Sequence, residues 1–215
     1  MQERRYISDL HFFDEDVMLY MDRRPFSSVE EMNEYMIRSW NDTIEKGDEV
    51  IVLGDMFSIK GASVREINRV LHRLKGRMAL IIGNHDAEWM KKPGIDLARF
   101  SWIETQKTVK DRGREVILNH YPILFFGKNH MRDEEGKLST YMLHGHVHSS
   151  PEAGLLYSFQ RQAAGTALNF KTGEERAVCN CINCFCGYSD YKPLTLNEWE
   201  EKLKKIVRPD GLTLI

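Results

Sequence analysis

Three short apolar runs, RYIS, EVIVL and RMALII, alternate with two stretches of helical period, and this alternation limits the architecture more than any other feature of the chain. In the first helical stretch Met32, Met36, Trp40 and Ile44 recur on one face behind Val29. Ser27 with Glu30 three residues later reads as a capping box, and Gly47 as the stop. The second repeats the design, with Ser63 and Glu66 as the box, Val64, Ile67, Leu71 and Leu74 as the stripe, and Gly76 as the stop. The order β-α-β-α-β predicts an α/β fold whose early strands are largely parallel. From Trp102 onward the runs EVIL and TYML come with few helical stripes, which predicts a second sheet or an antiparallel extension. A last helix opens at Thr195 and Glu198 and turns Leu196, Trp199, Leu203 and Ile206 inward.

The chain of 215 residues shows no repeat, low-complexity tract or clear linker, so one domain over 1–215 is expected. A hydrophobic content of 42% with 29% charged residues is ordinary for a globular protein and gives no sign of disorder. The formal net charge of -2 gives no overall attraction to nucleic acid or to an anionic membrane. No apolar run approaches the roughly 18 residues of a membrane span, and the charged start MQERRYISDLHFF lacks the apolar region of a signal peptide. A cytoplasmic location is expected.

All four cysteines fall in VCNCINCFCGY, at Cys179, Cys181, Cys184 and Cys186. Four thiolates could close a zinc site, but this spacing lacks the two separated knuckles of a zinc ribbon. As a strand, the segment would put Cys184 and Cys186 on one face as small hydrophobes.

Each of the five strand-like runs ends in residues that bind metals. They lead into Asp9-Leu10-His11, Gly54-Asp55, Gly83-Asn84-His85-Asp86, Asn119-His120, and His144-Gly145-His146-Val147-His148. Ligands of open α/β sheets bind outside the carboxyl ends of the strands, so the clusters should converge on one crevice. Asp9 and His11, two apart, would reach the same side of an extended segment, as would His146 and His148. Gly54, Gly83 and Gly145 would let the backbone turn beside them. Mixed carboxylate, imidazole and amide donors suit Mn, Fe or Zn better than Ca or Mg. There are too many of them for one ion. The Asn84-His85-Asp86 turn could, taken alone, simply cap the helix that AEWM begins.

In order, the motifs D-x-H, G-D, G-N-H-D, H and G-H-x-H resemble those of the calcineurin-like metallophosphoesterases, from Asp9 to His148. RPFSSVEEM and YKPLTLNEWEEKL are similar to a small bacterial and phage-associated branch of that superfamily. The resemblance implies a sandwich of two mixed β-sheets flanked by helices, with two divalent transition metal ions at one end, manganese first among them. It implies Asp9, His11 and His148 on one ion, Asn84, His120 and His146 on the other, and Asp55 between them. The chain departs from the protein serine/threonine phosphatases of the superfamily. It reads GDMFSIKG and GNHD where they carry G-D-x-V-D-R-G and G-N-H-E, and so lacks their Asp-Arg pair. Arg23, Arg24, Lys60, Lys128 and Arg132 are candidates for the substrate phosphate, each readable equally as a surface charge.

The activity expected is hydrolysis of a phosphodiester or nucleotide-type substrate. Two ions would lower the pKa of a shared water from 15.7 toward about 7, making hydroxide available near neutral pH. His85 would face the leaving group as general acid, and Asp86 would accept from His85 and fix its tautomer. His144 is expected beside the ligands or in plain packing. Phe125 and Phe126, near Lys128, His130 and Arg132 in the loop after His120, would stack a nucleobase or pack as a satellite core. The alternatives are a phosphomonoesterase on the same site and a catalytically inactive metal- or nucleic-acid-binding module.

Overall fold

A computed structural model describes residues 2–58, 60–167 and 177–206. Four strands, β1 (Arg4–Ile7), β2 (Glu49–Val52), β3 (Arg77–Ile81) and β4 (Phe100–Glu104), form a parallel sheet in sequence order. The second sheet holds β5 (Gln106–Asp111), β6 (Arg114–Asn119), β7 (Thr140–His144) and β8 (Cys181–Asn183), also in sequence order. It is mixed, because β5 pairs antiparallel with β6 while β6, β7 and β8 run parallel. Tyr6 and Leu194 make an antiparallel bridge that covers the outer edge of β1.

Side-chain alternation along the strands builds the layers. Val50 and Val52 of β2 join Met78 and Leu80 of β3 on one face. There they meet Met32, Met36 and Trp40 of α1 (Val29–Thr43) and Ile67 and Leu71 of α2 (Val64–Arg73). The intervening Ile51 and Leu53 face the other sheet, against Val116, Leu118, Tyr141 and Leu143. Beyond that sheet, Ile117 and Met142 pack on α4 (Pro151–Gly165). The result is a two-sheet sandwich with helices on both outer faces. In α5 (Leu196–Ile206), Leu196 and Trp199 enter the core between the sheets, and the Trp199 indole donates to the Tyr6 carbonyl at 2.9 Å. Among the described residues no helix is long and apolar enough to cross a membrane.

The capping box of α2 forms as expected between Ser63 and Glu66. In α1 the cap sits one residue later than expected. Ser28 accepts from the Glu31 amide, while the Glu31 carboxylate reaches back to Ser27. Two adjacent serines and two adjacent glutamates make both registers equally good on paper. Burial of Met32 and Met36 selects the one observed.

The cysteines do not converge. Cys181 packs beneath α4, Cys184 between the sheets and Cys186 on the α1 side of the first sheet, so no zinc site forms among them. Cys184 and Cys186 do not share a face, because β8 ends at Asn183 and the chain enters a short helical turn at Cys186.

Candidate metal centre

All five expected ligand clusters follow the carboxyl ends of β1, β2, β3, β6 and β7, and those ends lie side by side. Two ligand groups result, Asp9 with His11 and His148, and Asp55 with His120 and His146. Within each group the ligand atoms lie within 4.8 Å of one another. Asn84 joins the second, its Oδ1 standing 2.9 Å from both His120 Nε2 and His146 Nδ1. Asp55 Oδ2 lies 3.7 Å from His11 Nε2 and 3.3 Å from His120 Nε2, so one carboxylate oxygen faces both groups.

The ligand segments are not extended, as the two-residue spacing had suggested. Asp9, His11, Asp55, His146 and His148 all have positive φ, between 46° and 72°. Their side chains converge because these residues take left-handed backbone as the chain leaves β1, β2 and β7. Such a conformation costs about 1–3 kcal/mol per residue and persists where surrounding contacts impose it. The glycines serve close approach more than turning. A Cβ at Gly83 would stand 2.2 Å from Asp55 Oδ1, one at Gly54 2.3 Å from His120 Nδ1, and one at Gly145 2.5 Å from Asp9 Oδ2. Only Gly54 of the three has positive φ.

These residues suit cations. Asp9 Oδ2 and both ring nitrogens of His11 are buried with no hydrogen-bond partner among the described residues. Such groups are costly unless something else engages them. The imidazoles are also oriented for binding. His120 Nδ1 donates to the Leu53 carbonyl at 2.8 Å and His148 Nδ1 to Asp22 Oδ1 at 2.8 Å, which leaves each Nε2 facing the crevice. Asp14 Oδ2 stands 3.4 Å from His11 Nδ1. Burial opposes charge on His120, but Asp55 and Asp9 together outweigh it and lift His120 to about 9. Burial likewise opposes charge on Asp55, and His120 outweighs it and holds the carboxyl down at about 2. Asp14 and Asp22 gave no sign in the sequence, since neither falls in one of the five ligand clusters.

His85 is exposed beside the centre, its ring 5.1 Å from that of His11. Asp86 does not hold it. The Asp86 carboxylate is fully buried, with Oδ2 accepting from the amides of Asp55 and Gly83 and Oδ1 from the Met56 amide and the Trp89 indole. As the first residue of α3 (Asp86–Met90), it turns back under the loop while His85 faces out. Its work is to fix the Asp55 segment. His144 is buried and donates from Nδ1 to the Gly145 carbonyl at 2.8 Å, and burial pushes it down to about 4.

The expected substrate cations are mostly engaged elsewhere. Arg24 is 6% exposed and bonded to Asp22 and to the carbonyls of Asp9 and Leu10, so it cannot reach a substrate in the crevice. Lys128 pairs with Glu115 near the start of β6, the end away from the ligands. Arg132 bonds the Gly136 carbonyl and pairs with Leu138 in a hairpin whose Ser139 carbonyl accepts from Glu115, at that same far end. Arg23 is exposed. Lys60 alone of the five lines the cavity of about 940 Å³ that opens beside Asn84 and His85.

Two Asp/His groups that could each hold a metal ion, all their residues buried but the half-buried His146, lie at the carboxyl edge of a two-sheet sandwich. The family model of the calcineurin-like phosphoesterases matches residues 6–146, and the chain belongs to that family. An uncharacterized protein of Methanocaldococcus jannaschii is 29% identical over 150 residues, covering 70% of this chain and 72% of its own. The gene 66 protein of Mycobacterium phage L5 is 27% identical over 167 residues, covering 69% and 79%. A crystal structure of a protein of unknown function from Aquifex aeolicus shares the fold, with a TM-score of 0.59 at 21% identity over 94% of this chain and 99% of that one.

Proposed function

We propose that this chain is a binuclear phosphoesterase that hydrolyses a small phosphodiester or nucleotide-type substrate, with manganese as the first candidate metal. The observation that carries this reading is the single Asp55 oxygen facing His11 of one ligand group and His120 of the other. When bound, two divalent ions would acidify a shared water and neutralise charge on the phosphoryl oxygens. The chain supplies the rest. Asp9, His11 and His148 would hold one ion and Asn84, His120 and His146 the other, with Asp55 available to both. His85, exposed at the mouth with its backbone amide donating to Asp55 Oδ1 at 2.9 Å, would give a proton from its ring to the departing alkoxide.

The cavity beside His85 supports a small substrate. Asp14, Glu15, Asp16 and Glu88 line it, and Lys60 is the only lysine or arginine among the described lining residues. A nucleic-acid strand would bring further phosphates against those carboxylates. A substrate with one phosphoryl group would not.

The test is hydrolysis of a panel of phosphomonoesters, phosphodiesters and nucleotides by the metal-free chain and after Mn, Fe or Zn is added. Turnover of diesters that requires metal is expected. Full activity without metal would sink the mechanism, and preference for monoesters would move the assignment to a phosphatase.

A further inference from the structure

Arg24 lies buried beneath the first ligand group, bonded to the backbone of its Asp9-Leu10 segment and, through Asp22, linked to His148. Its Nη1 donates to the Leu10 carbonyl at 2.7 Å and its Nη2 to the Asp9 carbonyl at 2.9 Å. Nε and Nη2 both reach Asp22 Oδ2, at 3.0 and 2.8 Å. The other oxygen of Asp22 takes His148 Nδ1. We infer that Arg24 and Asp22 are a positioning pair that sets the metal affinity of the Asp9–His11–His148 group and not that of the other group. This rests on the binuclear reading above.

The selectivity follows from where the bonds go. Asp9 and His11 hold left-handed backbone, with φ of 56° and 49°, and the carbonyls fixed by Arg24 are those of Asp9 and of Leu10 between them. Through Asp22 the same guanidinium fixes the ring of His148, which comes from a different strand end. One planar cation thus ties together two segments far apart in sequence. The side chains of the second group have other anchors, since His120 is held by the Leu53 carbonyl and the Asp55 segment by Asp86. It is the His146 backbone, whose amide donates to Asp9 Oδ1 at 2.9 Å, that leans on the first group's side chains. Lysine cannot replace the arginine, because one ammonium on a single stem cannot address two carbonyls and a carboxylate in this fork geometry.

Manganese binding measured by calorimetry in two backgrounds tests the pair. In a His120→Ala chain, which lacks the second group, uptake reports the first. There Asp22→Ala and Arg24→Lys should each weaken binding by about 10–100-fold, while Asp22→Asn, still able to accept from His148, should lose less. In a His11→Ala chain, which lacks the first group, the same substitutions should leave affinity unchanged. Leu71→Ala, a core truncation on α2, serves as the stability control and should leave binding unchanged in both backgrounds. Should Arg24→Lys fail to fold, Asp22→Ala carries the test. Unchanged affinity in the His120→Ala background, or equal losses in both backgrounds, would overturn the positioning role while leaving the binuclear reading intact. A wild-type chain that takes up fewer than two ions overturns the binuclear reading and the inference together.

Discussion

Asp86 and His85 are neighbours in sequence with opposite duties, and substitution should separate them. His85→Ala should keep both ions and lose about 10²–10⁴-fold in turnover, with a smaller loss on substrates whose leaving groups need no proton. A loss independent of the leaving group would remove the acid role. Asp86→Asn should behave differently, because a carboxamide has one acceptor oxygen for the four donors that the carboxylate now satisfies. Each donor left unsatisfied costs roughly 1–3 kcal/mol. A fall of roughly 5–15 °C in thermal midpoint is therefore expected, with a turnover defect that does not vary with leaving group. At this scale the residues of the two candidate ligand groups were legible in the sequence, because D-x-H, G-N-H-D and G-H-x-H each keep their donors within a few residues. The residues that support them were not. Asp22 acts on His148 across 126 positions, and Arg24 acts on carbonyls that have no side-chain signature.

Elements were legible where one period dominated. The stripe of α2 and its capping box give a helix whose buried residues are Ile67, Val70 and Leu71. β2, buried throughout, reads as the unbroken apolar run of a parallel strand between two layers. α4 was missed because PEAGLLYSFQRQAAG buries Ala153, Gln160 and Ala163 among its contacts, and small and polar inward residues erase the stripe. β5 was missed because it lies at the edge of its sheet and alternates exposed and half-buried residues in QKTVKD, with few of them apolar. The loop after His120 shows the limit of composition. Phe126 packs against the α4 core, whereas Phe125 is 75% exposed and meets Phe159 of α4 edge-on at 5.5 Å. Phe126→Ala should lower stability by about 1–3 kcal/mol, and Phe125→Ala by no more than about 0.5 kcal/mol. Urea titrations of the two variants check this, and a larger loss for Phe125→Ala would reverse the assignment.

For the whole molecule, protons and metal ions compete for the crevice, and the competition has a direction. His120 is raised from an ordinary 6.5 to about 9, so its contribution to the metal-free fold is complete below 6.5 and fades as pH rises through about 9. Asp55 is lowered from 3.8 to about 2, so its contribution is present above 3.8 and is lost as pH falls through about 2. Between pH 6.5 and 9 the metal-free chain therefore loses the stabilising His120–Asp55 contact. Over the same window a metal ion gains, because it no longer has to displace the His120 proton. Each proton released raises affinity about tenfold per pH unit. The rise in thermal midpoint on adding manganese should thus be smaller at pH 6.5 than at pH 8.5. Calorimetry in buffers of different ionisation enthalpy should show proton release near neutral pH that disappears in His120→Ala. A thermal shift that shrinks as pH rises across this window, or undiminished proton release in that variant, would mean that His120 does not bind the metal and that the second ligand group is wrongly drawn.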